Sequence, residues 1–590
     1  MKRRRYAPLV WFVLGFGIFM FTRMSKIVPT IPVAMLIAPV FILRFARTQP
    51  ARRGILLTLV GFLLSINIGL WGLFDLDGGA FILIYSILRS SLLAVLYFLP
   101  YMIDRLVYPK FAGRGSASSL MFPIITTALF FLSSLEGPFD GAIQSGKFVY
   151  GPMVFQQLLS LFGIWSFIFL TSWFASLLNY AWENSFQWSK IRWASAIFLS
   201  MVTLVFLFGV IKISSSDPES STVKIAAVVL IPEEGEAISL DQAWAEKRVS
   251  PFEQSVARIA ALTETAALNG AKIVSFQEFA MLIHEEDEQR LREEYQTIAR
   301  ESNVYLSITY AHYAQEGKGE NKHLLIDSNG EIQLDYTKRY VSGLAELDLG
   351  EAGVYRKGPE ILQTLDTPYG RIAISICRDM EFPHYMRQAG KDDVDIMLSP
   401  AYEWPKGLVI HSVYMRGIEY GFSLVRPTYN GITIAQDFNG RILSQMDSDA
   451  TDSGILYADV PTRGVNTLYS QIGDALAWIC VLGFLGLVIL SIVVSIGDSK
   501  CDGVPILGIK GRREPLAEYC LGHSPHSYPC WHLPCRKYHH ALHILCDCRV
   551  SAHCTDCVAS MEVAPARGNT NGSTKLGREV QQINGRDLAI

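Results

Sequence analysis

At 590 residues the chain is too long for one ordinary domain and long enough to bury a sizeable core. Half of it is hydrophobic, 18% is charged and the mean hydropathy is +0.25, which points to a membrane protein. The net charge of −3, with no long basic run outside the apolar segments' flanks, argues for no nucleic-acid partner.

Segments of the length and polarity needed to cross a bilayer lie near 7–23, 27–44, 55–75, 80–103, 118–135, 152–180 and 191–213, with an eighth near 472–496. The 152–180 segment is long enough to tilt or to overrun the bilayer. No small-residue cleavage site precedes Arg23, so the first segment reads as a retained span rather than a signal peptide.

Loop charges give an orientation. Lys2 to Arg5, then Arg44, Arg47, Arg52 and Arg53, then Arg105, Lys110 and Arg114, then Lys190 and Arg192 fall on alternate loops. The opposite loops carry Asp75, Asp77, Glu136 and Asp140 against Lys147, and only the Arg23–Lys26 turn disagrees. Cations stay cytoplasmic, so both termini are expected inside and residues 220–465 outside. The expected organisation is a seven-span bundle over 1–215, a globular domain over 220–465, a final span over 470–497 and a cytoplasmic tail over 498–590.

Ser214-Ser215-Ser216-Asp217-Pro218 breaks the helical pattern and opens the globular part. Strands are expected at 223–231, 272–276, 304–313, 322–327, 331–337, 371–376, 394–398, 422–428 and 431–437, with helices at 251–268 and 284–302. Early strand–helix alternation followed by hairpins predicts a layered α/β domain with a mixed sheet. No repeat of 20–50 residues is present.

Between residues 220 and 470 there is a single cysteine, Cys377. A lone thiol is either a small buried hydrophobe or a reactive group. Here an apolar strand runs into it and the polar run Arg378-Asp379-Met380-Glu381 follows. The end of a sheet strand is where α/β folds place ligands, and a helix start beyond it would favour a thiolate. Glu278 likewise ends an apolar strand, and Lys338 follows Tyr336-Thr337. Taken singly, Glu278 reads better as a solvated loop residue and Lys338 as a surface group.

Taken together, the segments resemble the nitrilase superfamily, whose members use a Glu–Lys–Cys triad. The match runs through Gly270-Ala271-Lys272-Ile273-Val274-Ser275-Phe276-Gln277-Glu278, Tyr336-x-Lys338, and Ser375-Ile376-Cys377-Arg378-Asp379 with Phe382-Pro383. It continues through Gly421 to Arg426, Asn430-Gly431 and Asp437 to Ile442. Set between an apolar bundle and one last span, this domain resembles the apolipoprotein N-acyltransferase family, the membrane-bound branch of that superfamily. Glu346 stands where the family carries a second glutamate, and 411–416 with Glu419 is similar to the family's helix.

The resemblance implies a multi-pass α-helical bundle of about eight spans in a bacterial inner membrane, carrying an extracytoplasmic α-β-β-α domain. It implies no cofactor and no metal in that domain. It implies Glu278 as base, Lys338 as oxyanion partner and Cys377 as nucleophile, with Glu346, Arg378 and Asp379 in support. The donor would be a phospholipid and the acceptor the amine of a lipoprotein's N-terminal cysteine. Tyr402 and Trp404, with Leu408 and Val409, would form a lid or touch lipid, or else belong to the domain core.

Three departures bear on the acceptor. Phe276-Gln277 replaces a usual Trp-Pro, Arg378-Asp379 replaces Tyr-Glu after the nucleophile, and Val341 to Ala345 lacks a Pro-Phe-Gly. A membrane-tethered amidase with the same triad is the alternative, and a transporter or sensor with an inactive domain is a second. Against the latter, the spans carry few ionisable residues, Arg89 being the main exception.

The tail holds eight of the ten cysteines and seven of the twelve histidines. The spacings Cys530-x4-Cys535 and Cys546-x-Cys548-x5-Cys554-x2-Cys557 do not make a regular zinc pattern. Either a zinc module or a fused or frame-shifted extension is compatible with it, and 564–590 reads as disordered.

Overall fold

A computed structural model of the chain describes residues 3–22, 31–71, 79–112, 115–135, 152–215, 221–230, 243, 246–341, 351–403, 410–448 and 454–501. The expectations for Glu346, Trp404, Leu408, Val409 and the Cys/His-rich tail lie outside the described residues. Everything described falls in one compact unit, Met1–Pro505.

The apolar part consists of α1 (Arg3–Met20), α2 (Ala34–Thr48), α3 (Ala51–Gly69), α4 (Gly79–Val107), α5 (Met121–Leu135), α6 (Ile164–Glu183) and α7 (Trp188–Ser214), and a last helix covers Ala475–Cys501. Among the described residues, six helices are long and apolar enough to cross a membrane: Ala51–Gly69, Leu83–Lys110, Gly115–Leu135, Ile164–Glu183, Trp188–Ser214 and Ala475–Ile496. Leu199, Leu204 and Ile211 on α7, and Leu482 and Ile489 on the last helix, stand largely exposed. Apolar surface on that scale is what lipid, not water, would cover. These helices fit a membrane protein.

The first two expected segments hold α1, an 18-residue helix, and α2, a 15-residue one. The 152–180 segment does not run as one long helix. It breaks at Gly163, after two short turns at Met153–Gln156 and Leu159–Phe162. Gly163 has a φ of 61°, and a Cβ there would collide with the Tyr469 ring. Both the left-handed backbone and the close approach require glycine.

The globular part is two sheets sandwiched between helices. The first has the order β15-β1-β2-β4-β5-β6, with β3 paired to β4. Its strands are β1 (Thr222–Val228), β2 (Ile273–Phe276), β3 (Leu282–His284), β4 (Tyr305–Tyr313), β5 (Glu320–Ile326), β6 (Ile332–Thr337) and β15 (Ile455–Pro461). The second has the order β14-β13-β11-β9-β8-β7, from β7 (Gln363–Thr367), β8 (Gly370–Ile374), β9 (Ile396–Leu398), β11 (Ser423–Arg426), β13 (Ile432–Gln436) and β14 (Ile442–Asp447). A two-residue pair, β10 (Ala401–Tyr402) with β12 (Thr428–Tyr429), lies beside it.

Side-chain alternation sorts the layers. From β1, Ala226 and Val228 face α8 (Phe252–Leu268) and α9 (Glu288–Ser302), where they meet Ile259, Leu291 and Tyr295. Val223, Ile225 and Ala227 face the other way, into a core shared with Leu325, Tyr336, Ile372, Ile374 and Leu398 of both sheets. Beyond the second sheet, Tyr385 and Met386 of α10 (Pro383–Lys391) and Val413 and Met415 of α11 (Ile410–Tyr420) close the layer. Both sheets mix parallel and antiparallel pairs, as the sequence predicts.

Bundle and domain share hydrogen bonds. The Ile164 N–H, at the start of α6, donates to Glu419 Oε1 at 3.0 Å, and Gln157 Nε2 donates to the Asn439 carbonyl at 2.9 Å. Trp165 Nε1 and Tyr469 OH both donate to Asp474 Oδ1 at 2.7 Å. At its far end α6 brings Glu183 to Arg47 and Tyr108, and Arg47 pairs with buried Asp104 at 2.8 Å.

Gly163→Ala is expected to lower the unfolding midpoint of the detergent-solubilised chain by several degrees, equivalent to about 1–3 kcal/mol. An unchanged midpoint in a thermal melt would contradict the packing of this break against Tyr469.

Candidate active site

Parallel pairing aligns Ile374 of β8 with Leu398 of β9, and Leu398 with Val425 of β11. Three chain segments therefore leave the second sheet side by side, bearing Cys377, then Ser399 to Tyr402, then Arg426. In the first sheet β2 ends just before Glu278, β6 ends just before Lys338, and antiparallel pairing of Lys322 with Thr337 sets Asn321 across from Lys338. The Lys338 N–H donates to the Asn321 carbonyl at 2.9 Å.

Glu278 is 2% exposed and Lys338 1%, and Lys338 Nζ donates to Glu278 Oε1 at 2.7 Å. Asn321 Nδ2 donates to the same oxygen at 2.9 Å. Glu278 Oε2 takes the Tyr402 N–H at 2.8 Å. A carboxylate so buried is tolerable only with this many donors, because an unpaired one would cost several kcal/mol.

Cys377, also buried, donates from Sγ to the Tyr402 carbonyl at 3.5 Å. Tyr402 thus hands its N–H to Glu278 and its carbonyl to Cys377, so one residue couples the acid to the thiol. The structure brings Glu278, Lys338 and Cys377 to one place.

The Cys377 backbone has a φ of 46°, a left-handed conformation that costs a non-glycine residue about 1–3 kcal/mol. Its N–H donates to the Pro400 carbonyl at 2.8 Å, which holds the turn. The sequence suggests a helix start close beyond the thiol. Instead Cys377–Glu381 is a short 3₁₀ turn, and α10 begins only at Pro383. Strain at Cys377 and the proline set the helix back, so a helix dipole is not what polarises this sulfur.

Asp379 is fully buried within that turn. Its Oδ2 accepts from Tyr336 OH at 2.7 Å and from the Ile376 N–H at 3.0 Å, and its Oδ1 from the Tyr340 N–H at 2.8 Å. Burial pushes its carboxyl up to about 6, with Lys338 and these donors pulling the other way. Arg378 points outward, donating to the Val341 carbonyl at 3.2 Å and lying 5.5 Å over the Phe382 ring. Behind the turn, Arg416 donates from Nε to the Met380 carbonyl at 3.0 Å and pairs with Glu419, both fully buried. The Tyr402 ring stacks on Tyr429 at 5.3 Å between centroids, so its backbone and its ring do different things.

Several residues at the site escape sequence reasoning. Asn321 reads as a strand edge. Arg426 is wholly buried, with Nη1 3.3 Å from the Cys377 carbonyl and Nη2 3.9 Å from Cys377 Sγ. His323 bridges the sheets, with Nε2 2.7 Å from Ser307 Oγ and Nδ1 3.2 Å from the Ser375 carbonyl. A carbonyl only accepts, so Nδ1 carries the proton and Ser307 donates to Nε2. Burial pushes His323 down to about 3, and it stays neutral. For Arg426 the available signal was a charge closing a short buried strand; Asn321 and His323 lie in a polar run, Glu320 to His323, that gave none.

No group of residues suited to holding a metal occurs among the described residues.

Residues 237–468 match the family model described as carbon-nitrogen hydrolase. This part of the chain is a carbon-nitrogen hydrolase domain of the nitrilase superfamily. Curated relatives of the domain include a deaminated glutathione amidase of Dictyostelium discoideum, 32% identical over 119 residues, 18% of this chain and 40% of that protein. An apolipoprotein N-acyltransferase of Shewanella oneidensis is 26% identical over 169 residues, 28% of this chain and 32% of that one. The nitrilase and fragile histidine triad fusion protein of Caenorhabditis elegans is 34% identical over 97 residues, 15% of this chain and 22% of that one. The chain therefore spans well under half the length of these relatives. Among solved structures, an amidase from Nesterenkonia sp. aligns at 17% identity and a TM-score of 0.35, over 45% of this chain and 98% of that one.

The hydrolase domain's buried Asp379 gives a pH signature. Its folded value, about 6, lies above the ordinary 3.8, so the neutral form is favoured in the fold. That contribution is complete below about 3.8 and is lost as pH rises through about 6. Relative to Asp379→Asn, wild-type stability should fall across this window by roughly 3 kcal/mol and stay flat above it. Melts of both proteins from pH 4 to 8 check this, and a constant difference would contradict it.

Proposed function

We propose that this protein transfers an acyl chain from a phospholipid, through a thioester on Cys377, to the free amine at the N-terminal cysteine of a lipoprotein. The observation that carries the reading is the join between hydrolase domain and apolar helices. The first residue of α6 donates to Glu419, and Glu419's partner Arg416 holds the carbonyl of Met380 in the nucleophile turn. A thiol built onto helices of this kind suits a donor that lives in the bilayer. The likeness to apolipoprotein N-acyltransferases supports the same substrate class.

In this reading Glu278 takes the thiol proton and Sγ attacks the ester carbonyl carbon. Lys338 stabilises the oxyanion. The C–O bond to glycerol breaks, Glu278 returns the proton to the departing alkoxide, and lysophospholipid leaves. In the second half the acceptor amine gives a proton to Glu278 and attacks the thioester. The C–S bond breaks, and the thiolate recovers its proton. Tyr402 fixes both partners through its own backbone, while Arg378 and Asp379 shape the turn. Glu346 would support Lys338, and Trp404 with the Tyr402 ring would meet the acyl chain.

The orientation proposed places the hydrolase domain outside a bacterial cell membrane and both termini inside. The loop-charge pattern supports it. So does α6, which meets the domain at Ile164 and the Arg47 cluster at Glu183.

A second reading keeps the triad and uses water on a small amide. It is favoured by Arg378-Asp379 after the nucleophile and by the likeness to deaminated glutathione amidases.

The test is to incubate the solubilised chain with phospholipid carrying a labelled acyl chain, first without acceptor. Hydroxylamine-sensitive label on Cys377 is expected, absent in Cys377→Ser and passing on to a diacylglyceryl-cysteine peptide. Glu278→Gln should slow labelling by about three orders of magnitude or more. Label passing only to water would replace the acyltransferase with a hydrolase, and no label from a folded protein would contradict a lipid donor.

A further inference from the structure

Arg426 is buried completely, and its hydrogen bonds go to two carbonyls, a hydroxyl and a thiol rather than to a carboxylate. Its Nη1 lies 3.3 Å from the Cys377 carbonyl, 3.5 Å from the Ser399 carbonyl and 3.4 Å from Ser399 Oγ. Its Nε has no hydrogen-bond partner, and its Nη2 lies 3.9 Å from Cys377 Sγ. Among the described residues, no carboxylate lies within ion-pairing distance of it. Fully buried guanidinium groups are ordinarily paired. Arg416 and Arg47, the comparable cases in this chain, face Glu419 and Asp104. The ionisable side chain that Arg426 touches is the thiol.

We propose that Arg426 is a catalytic residue, the resident counter-charge of the Cys377 thiolate, holding the sulfur anionic both before attack and as the thioester's leaving group. The inference rests on Cys377 being the nucleophile but not on the identity of the acyl donor.

The other charged groups around the nucleophile turn have other duties. Lys338 donates to Glu278, and Glu278 is oriented by Lys338, Asn321 and the Tyr402 N–H. Arg378 turns to the Val341 carbonyl, Asp379 is turned to Tyr336 and two backbone N–H groups, and Arg416 and Glu419 pair behind the turn. Neutral His323 is held between Ser307 Oγ and the Ser375 carbonyl.

In the acylation half the thiol proton passes to Glu278, and the negative charge left on sulfur lies against Arg426. As the C–S bond forms, that charge moves to the carbonyl oxygen beside Lys338. In deacylation the C–S bond breaks and its electron pair returns to sulfur, again against Arg426. Lowering the thiol's basicity costs some nucleophilicity but speeds its departure. A double displacement through one sulfur uses both steps.

The experiment follows the rate of Cys377 alkylation by iodoacetamide against pH, read by mass spectrometry on the Cys377 peptide of the full chain in detergent. Wild type should show an inflection at least about one unit below the 8.5 of a free thiol. Arg426→Gln keeps donors for the two carbonyls but removes the charge, and should raise that inflection by about one unit, a roughly tenfold loss of thiolate at pH 7. Arg426→Lys should restore most of the difference. The same ordering should hold in a Glu278→Gln background, where the base cannot contribute.

An inflection that Arg426→Gln leaves in place would overturn the proposal and reduce Arg426 to a clamp on the turn. If Arg426→Gln does not fold, wild type and Arg426→Lys still decide, because a wild-type inflection at or above about 8.5 overturns the proposal by itself. A low inflection together with no acylation by phospholipid would sink the lipid-donor reading and leave this one standing.

Discussion

The site depends on one buried carboxylate. Glu278 lies between two sheets where an unsatisfied charge would destabilise the fold, and its two oxygens are met by an ammonium, an amide and a backbone N–H from three different segments. Lys338 and Asn321 come from neighbouring strands of the first sheet, and Tyr402 comes from beside the second. Satisfying the carboxylate therefore fixes how the two sheets meet at this edge. Because the Tyr402 carbonyl also receives the Cys377 thiol, the same constraint positions the sulfur. Strain at Cys377 is sustained by what surrounds it: the Pro400 carbonyl in front, Asp379 within the turn and Arg416 behind.

That turn is also where the apolar helices reach the chemistry. Arg416 and Glu419 form a buried pair whose free valences go in opposite directions, to the Met380 carbonyl and to the Ile164 N–H. Three contacts thus link the start of α6 to the Met380 carbonyl in the nucleophile turn. Gly163 makes the arrangement possible, since only a residue without a side chain lets the chain turn against Tyr469 and enter α6 at that point. The hydrolase domain is thus fastened to the bundle by polar contacts as well as by the continuous apolar core.

Much of this was legible in the sequence. The β-branched and apolar runs at Thr222–Val228, Ile273–Phe276 and Gly370–Ile374 mark strands buried on both faces, and a polar residue at such a strand's end marks Glu278 and Cys377. Three edge strands were not legible. Gln363–Thr367 and Ile442–Asp447 mix polar and apolar residues because one side faces solvent, and Ile455–Pro461 owes its place to pairing with β1, far away in sequence. Arg426, Asn321 and His323 carry residue types that usually mean solvent. Their roles arise from what distant segments bring against them, which local periodicity does not encode. The helix expected beyond Cys377 begins only at Pro383 for a local reason, since a left-handed residue and a short 3₁₀ turn come first.

If Glu278, Lys338 and Cys377 work as one device around the shared carboxylate, their contributions cannot be independent. The direct measurement is a double-mutant cycle on single-turnover acylation, comparing Glu278→Gln, Lys338→Met and the double variant. The account predicts that the double variant is slowed little more than the slower single one, because either change disables the unit. Additive losses, with the double variant slowed by the product of the two single effects, would contradict it.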